Sequence, residues 1–325
     1  MLTIDFHPST RDEALHREAM ASLQSNRIDP KFLYVTPRQT ELWRQVFLQH
    51  SPIHANPEFA RIYGEAFRQI PDRLKPGKVL LAGLGCGTGL KELALVSSLK
   101  ERGHEALFSA IDISHDLVRE SAQKLVAAGA GHRRSLVCDL AQTAFLGEWL
   151  DALESGLPRL ITFFGLIPNF APSAVTRLFR AILRPGDVLL ASAHLVPQPD
   201  ENWEKLPAAM KLILPQYDNP ETLAWLSAGL ELWGLENLVE PPEMKVGQVE
   251  GIPAFLAFAK WKSNDPFEKW GCLVSPKVEQ PLQVFSSLRY TPSLFENLLR
   301  REGFDVELLS ITSCRQEAIW CVRSG

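Results

Sequence analysis

Between residues 78 and 194 short, mostly apolar runs alternate with stretches in which apolar positions recur every three or four residues. That alternation predicts strands and helices of a parallel sheet covered on both faces. Strands are predicted at 78–83, 106–112, 135–139, 159–164 and 187–194. Between them, the helix at 90–101 carries Leu93, Leu95 and Leu99 near one stripe, Ser114 caps a helix running to Leu125, and Pro172 precedes the helix at 175–183. Arg184-Pro185-Gly186-Asp187 stops that last helix before the fifth strand. Beyond His194 the alternation ends, and residues 196–281, rich in proline and tryptophan with a helical pattern at 221–238, read as an insertion. The sheet is expected to resume at 284–289, with a helix opened by Thr291-Pro292 and strands near 305–311 and 317–322. Two further helices are predicted ahead of the sheet, at 11–23 and 40–48. The fold class is therefore α/β, a doubly wound sheet built from 76–196 and 284–325. A helical N-terminal segment, 1–75, is expected to cover the ligand crevice, opposite an inserted substrate lid at 197–283.

The first strand runs into Gly83-Leu84-Gly85-Cys86-Gly87-Thr88-Gly89. A dinucleotide fingerprint fails on spacing, since its last glycine falls on Thr88 or Leu90, and a phosphate loop fails because Gly89-Leu90-Lys91-Glu92 lacks the Gly-Lys-Ser/Thr ending. What remains is the G-x-G-x-G turn of a Rossmann-like class I methyltransferase, whose cofactor is S-adenosylmethionine. On that reading Gly83, Gly85 and Gly87 line the turn, and Asp112, closing the second strand, accepts from both ribose hydroxyls. Asp139, closing the third strand, either meets the adenine amino group or caps a helix. The end of the fourth strand, with Gly165 and Asn169, lies where such enzymes meet the sulfonium and the acceptor. No Asn/Asp-Pro-Pro-aromatic box of base and amide methylation stands there, whereas Asn169 offers a donor and an acceptor suited to an amine or carboxylate, or else simply forms a turn after Pro168.

Composition narrows the partners. The net charge of -4 and the shortness of Arg133-Arg134 and Arg300-Arg301 give no footprint for nucleic acid or an anionic membrane, leaving a small molecule or a protein as the expected substrate. No stretch approaches a membrane span, and the first eleven residues do not read as a secretion signal. Five widely spaced cysteines without metal-ligand spacing predict neither a disulfide framework nor a metal site, and fit a cytoplasmic protein.

Several segments, in order, resemble the histidine-specific Nα-methyltransferases of ergothioneine biosynthesis. Residues 27–34, ending Asp29-Pro30-Lys31-Phe32-Leu33-Tyr34, are similar to that family's Pro-Lys-aromatic-x-Tyr opening. Residues 85–91 resemble its glycine loop with a following lysine, and 163–170 its Phe-Leu-Gly to Gly-Asn-Phe segment. Residues 189–196, Tyr217-Asp218 and Ser287-Leu288-Arg289-Tyr290 follow its later pattern. The resemblance implies that Tyr34, Gly85, Lys91, Asp112 and Asp139 hold the cofactor, and that Asn169 and Tyr217 hold the α-amino acid backbone of the acceptor. Two departures fall on the side-chain pocket: His54 aligns with a tyrosine that bonds the imidazole, and Phe285, two residues before Ser287, with a glutamate. A phenyl ring accepts no hydrogen bond from imidazole, so a larger or more apolar acceptor side chain is expected.

The expected function is N-methylation of the α-amine of a free amino acid, with His54, Asn169 and Tyr217 acting on the acceptor, His54 as proton acceptor, and Phe285 and Ser287 shaping the side-chain pocket. The alternatives are a small-molecule O-, C- or S-methyltransferase and a catalytically silent cofactor-binding protein. Trp203, Trp225, Trp233, Trp261 and Trp270 fit either an apolar acceptor wall or a packed lid core.

Overall fold

A computed structural model describes residues 2–153, 156–197 and 204–325 of the chain. The strands are β1 (Ile4–Phe6), β2 (Lys78–Leu84), β3 (Glu105–Asp112), β4 (Gly131–His132), β5 (Ser135–Val137), β6 (Arg159–Phe164), β7 (Val188–His194), β8 (Glu243–Val249), β9 (Ile252–Ala259), β10 (Phe267–Lys269), β11 (Cys272–Val274), β12 (Leu282–Leu288), β13 (Phe304–Ile311) and β14 (Glu317–Ser324). The helices are α1 (Asp12–Gln24), α2 (Pro37–His50), α3 (Pro52–Ala55), α4 (Pro57–Arg68), α5 (Leu90–Glu101), α6 (His115–Ala127), α7 (Thr143–Leu153), α8 (Pro172–Ile182), α9 (Leu206–Ile213), α10 (Pro220–Leu232) and α11 (Pro292–Arg301). Proline opens α2, α3, α4, α8, α10 and α11, where its missing N–H costs nothing. Thr36 and Gln39 complete a capping box on α2, and the side chains of Asn219 and Thr291 cap α10 and α11.

The main sheet has nine strands in the order β1-β5-β3-β2-β6-β7-β14-β13, with β4 against β3. β1 to β7 run parallel to their neighbours, and β14 lies antiparallel between β7 and β13. Mostly apolar strands follow from burial on both faces. One face packs on α7, α8 and α11 through Leu146, Phe179 and Phe295, and the other on α4, α5 and α6 through Phe67, Leu95 and Val118. A third core joins α1, α9, α10 and a separate antiparallel sheet, β12-β9-β8, through Met20, Met210, Trp225 and Phe255.

Three boundaries differ from the sequence expectation. The strand expected to rejoin the main sheet at 284–289 is β12, which instead pairs with β9 in the second sheet. Its alternation identifies a strand but not its partner, and Leu282, Val284 and Phe285 belong to the third core. β1 makes the N-terminal segment part of the main sheet rather than purely helical, and β5 stops at Val137, so Asp139 lies in the loop beyond.

Candidate functional site

At the carboxyl ends of the parallel strands, where ligands bind in such sheets, lies a cavity of about 680 Å³. Its walls come from both sheets and from α1, α2, α5 and α10, and its size suits a small-molecule ligand.

The turn after β2 forms one end. Gly85 and Gly87 have φ of +58° and +49°, and a Cβ on Gly85 would lie 1.8 Å from Leu166 Cδ1 while one on Gly87 would lie 3.2 Å from Trp43 Cη2. Backbone conformation and lack of room both require glycine there. Gly83 sits one step back in β2, outside the lining, where a Cβ would press on Phe108 and Cys86 at 3.3 Å. It therefore serves packing, not the turn surface.

Asp112 ends β3 at the cavity wall, accepting from Gly87 N at 3.2 Å and Ser114 N at 3.0 Å. Burial pushes its carboxyl up to about 6, against the pull of those amides. Buried amides, a bare glycine turn and a carboxylate with spare lone pairs fit a ribose and an amino-acid chain, as S-adenosylmethionine carries. Lys91, in the first turn of α5, also faces the cavity, with Nζ 3.6 Å from Glu317 and 4.5 Å above the Tyr63 ring. Gly165 lies close by, the Cβ it lacks being 3.7 Å from the Lys91 Nζ.

Asp139 reaches the same cavity with its carboxylate already engaged, by Ala141 N at 2.9 Å and Lys31 Nζ at 2.5 Å. Lys31 also bonds Glu18 and so ties the N-terminal segment to the sheet. Sequence reading quoted Lys31 only as part of a motif and gave it no role. Tyr34, on the same wall, has its phenol pushed upward by burial and then by the Asp112 charge, with Asn169 as a hydrogen-bond neighbour.

Beyond Asn169 the cavity changes character. Phe47, Trp225, Phe285 and Tyr217 supply aromatic wall, and Ser287, His194, Gln216 and Glu317 supply polar groups. Tyr217 stacks on Phe255, with ring centroids 4.5 Å apart, and its ring lies 6.2 Å from that of Phe285. Its hydroxyl accepts from Arg289 and stands 3.5 Å from His194 Nδ1. Burial and the Arg289 charge push His194 down to about 4, so its imidazole is neutral near pH 7. Burial alone would raise the Glu317 carboxyl, but Lys91, His194, Tyr63 and Ser192 hold it below the ordinary value.

His54, like Gly83, is an expected site residue that this arrangement leaves out. It is exposed on α3, outside the cavity lining, with its ring 4.8 Å from Phe47. The three residues before it, Ser51, Pro52 and Ile53, do line the cavity, as does His50, at the end of α2, which meets Glu221 at 2.9 Å. A proton-accepting role for His54 has no support in this geometry. Of the five lid tryptophans, Trp225 lines the cavity; Trp233 and Trp261 are buried in the third core, Trp270 packs on His16, and Trp203 lies outside the described residues. His194 and Glu317 were missed because each is an unremarkable residue in a strand until β14 brings Glu317 opposite His194, and Arg289, directly after β12, stood only as part of a motif.

No curated protein matches this chain. Among solved structures, a protein from Bordetella parapertussis described as a possible exported protein is 16% identical, with 98% of this chain and 99% of that chain covered and a TM-score of 0.49. A SAM-dependent methyltransferase from Bacteroides fragilis, in complex with S-adenosyl-L-homocysteine, is 14% identical over 80% of this chain and 77% of that one, with a TM-score of 0.36. The 1,6-didemethyltoxoflavin-N1-methyltransferase of Burkholderia thailandensis is 14% identical over 95% and 90%, with a TM-score of 0.42. The profile of the family described as histidine-specific, SAM-dependent methyltransferases matches residues 15–205, more than half of the chain and inclusive of the glycine turn, Asp112 and Asn169. The chain belongs to that family: it is an S-adenosylmethionine-dependent methyltransferase with the class I fold.

Proposed function

We propose that the protein methylates the α-amine of a free amino acid whose side chain is apolar or aromatic rather than an imidazole. The observation that carries this reading is one continuous cavity running from the glycine turn and Asp112, past Asn169, to Tyr217 and Phe285. S-adenosylmethionine supplies the electrophilic methyl group. Tyr34, Gly85, Gly87, Lys91, Asp112, Asp139 and Gly165 are assigned to holding it, with Asp112 on the ribose. Asn169 and Tyr217 orient the acceptor backbone, while Phe285 and Trp225 pack against its side chain. Alignment and exclusion of water can supply ~7–11 kcal/mol of rate enhancement, so no acid-base dyad is required. The neutral His194 beside Tyr217 supports an uncharged amine by adding no acid at that end. We assign residues 1–75 and 197–283 to closing this cavity from its two sides, and five free cysteines support a reducing compartment such as the cytoplasm.

The test is product mass spectrometry after incubation with S-adenosylmethionine and each free amino acid. Methyl transfer to the amine of phenylalanine, tyrosine, tryptophan or leucine, in preference to histidine, is expected. Methylation confined to oxygen, carbon or sulfur, or to histidine, would overturn the reading.

A further inference from the structure

We propose that Arg289 is a positioning residue which turns the hydroxyls of Tyr217 and Ser287 toward the cavity as hydrogen-bond donors, so that the acceptor end selects a carboxylate. The inference rests on the amino-acid reading above and adds the residue that makes it selective. Arg289 is 2% exposed, directly after β12. Its Nη1 donates to Ser287 Oγ and to Leu288 O, each at 3.0 Å, and its Nη2 donates to Tyr217 Oη. The guanidinium sits over two rings, with Cζ 4.9 Å from the Tyr217 centroid and 5.2 Å from that of Phe255. Packing therefore fixes its direction.

A guanidinium is donor-only, so both hydroxyl oxygens must accept from it and each hydroxyl proton must point elsewhere. Both Tyr217 and Ser287 line the cavity. Among the described residues, Ser287 Oγ has no acceptor partner and Tyr217 Oη has only the distant His194 Nδ1. The cation itself is uncompensated: among the described residues no carboxylate pairs with it, and Glu317 acts on it only from a distance. Burial accordingly pushes its value down to about 9, the mark of a buried charge awaiting a counter-ion. A bound carboxylate accepts from both hydroxyls and supplies the missing negative charge. A carboxamide, ester or ammonium at that place does not.

The test compares thermal unfolding of the S-adenosylhomocysteine-saturated protein in acetate and in acetamide, and with free amino acids and their carboxamides, for wild type, Arg289→Lys, Arg289→Met and Tyr217→Phe. Carboxylates are expected to stabilise wild type where amides do not. Arg289→Met and Tyr217→Phe should weaken carboxylate binding by roughly tenfold to a hundredfold, with partial rescue in Arg289→Lys and unchanged S-adenosylhomocysteine affinity in Tyr217→Phe. Tyr217→Phe keeps the ring stack, so it reports even if Arg289→Met does not fold. Acetate discrimination without any effect of amino acids retains the carboxylate subsite and overturns the amino-acid reading. Equal response to carboxylates and amides, response to neither, or discrimination that survives both Arg289→Met and Tyr217→Phe overturns the role of Arg289.

Discussion

Asp112 carries the most chemistry per atom of the residues we assign to the cofactor. Its carboxyl is raised from 3.8 to about 6 by burial, so the folded protein holds this proton more tightly than the unfolded chain does. Its contribution to stability is therefore full below 3.8 and is lost as pH rises through about 6. In the contact we assign to Asp112, ribose hydroxyls donate to the charged form, so cofactor affinity runs the other way and should fall as pH drops below about 6. Calorimetric titration with S-adenosylhomocysteine from about pH 5 to about pH 8 checks this. Asp112→Asn should weaken binding by about 1.5–3 kcal/mol and flatten the pH dependence; a variant that still titrates would assign the effect to another group. This residue was legible in the sequence because a carboxylate ending the second strand has a fixed place in the fold. His54 was misplaced because alignment cannot see which side of the short helix α3 meets the cavity: Pro52 and Ile53 line it, while His54 is exposed outside it.

At the scale of elements, the parallel strands and their helices were readable from periodicity alone, since both faces of the sheet are covered and each strand is mostly apolar. The hairpin of β8 and β9 was not. Its turn is Glu250-Gly251, with φ of +50° and +78° at the two central positions, the backbone of a tight hairpin reached here without the Asn-Gly or Asp-Gly pair that announces one. β1, at three residues, is too short to show a period. Helix packing makes its own demand at Gly147 of α7, where a Cβ would lie 2.3 Å from the Ala181 carbonyl oxygen of α8. Gly147→Ala should destabilise the protein by about 1–3 kcal/mol, seen as a lower melting temperature, while leaving the affinity for S-adenosylhomocysteine unchanged in the folded protein. An unaltered melting temperature would mean that the two helices can part without cost.

For the molecule as a whole, Lys31 joins the N-terminal segment to the sheet through Glu18 and Asp139. The Lys31 and Asp139 side chains are 7% and 8% exposed, so removing the cation leaves a buried carboxylate without its partner, at a cost of about 3–5 kcal/mol. Lys31→Met is expected to open the N-terminal segment to limited proteolysis and to weaken cofactor binding together. Protection equal to wild type would show that β1 and the third core hold that segment unaided. Such long-range ties were invisible to sequence reading, which sees neighbours along the chain and not across a cavity. The same geography divides the enzyme's inheritance. Trp225 and Phe285, which we assign to the acceptor, stand on α10 and β12, while the glycine turn and Asp112, which we assign to the cofactor, stand on the main sheet. Substitutions can therefore accumulate around the acceptor without disturbing the methyl donor, and a lineage built on this plan can change what it modifies while keeping how it modifies.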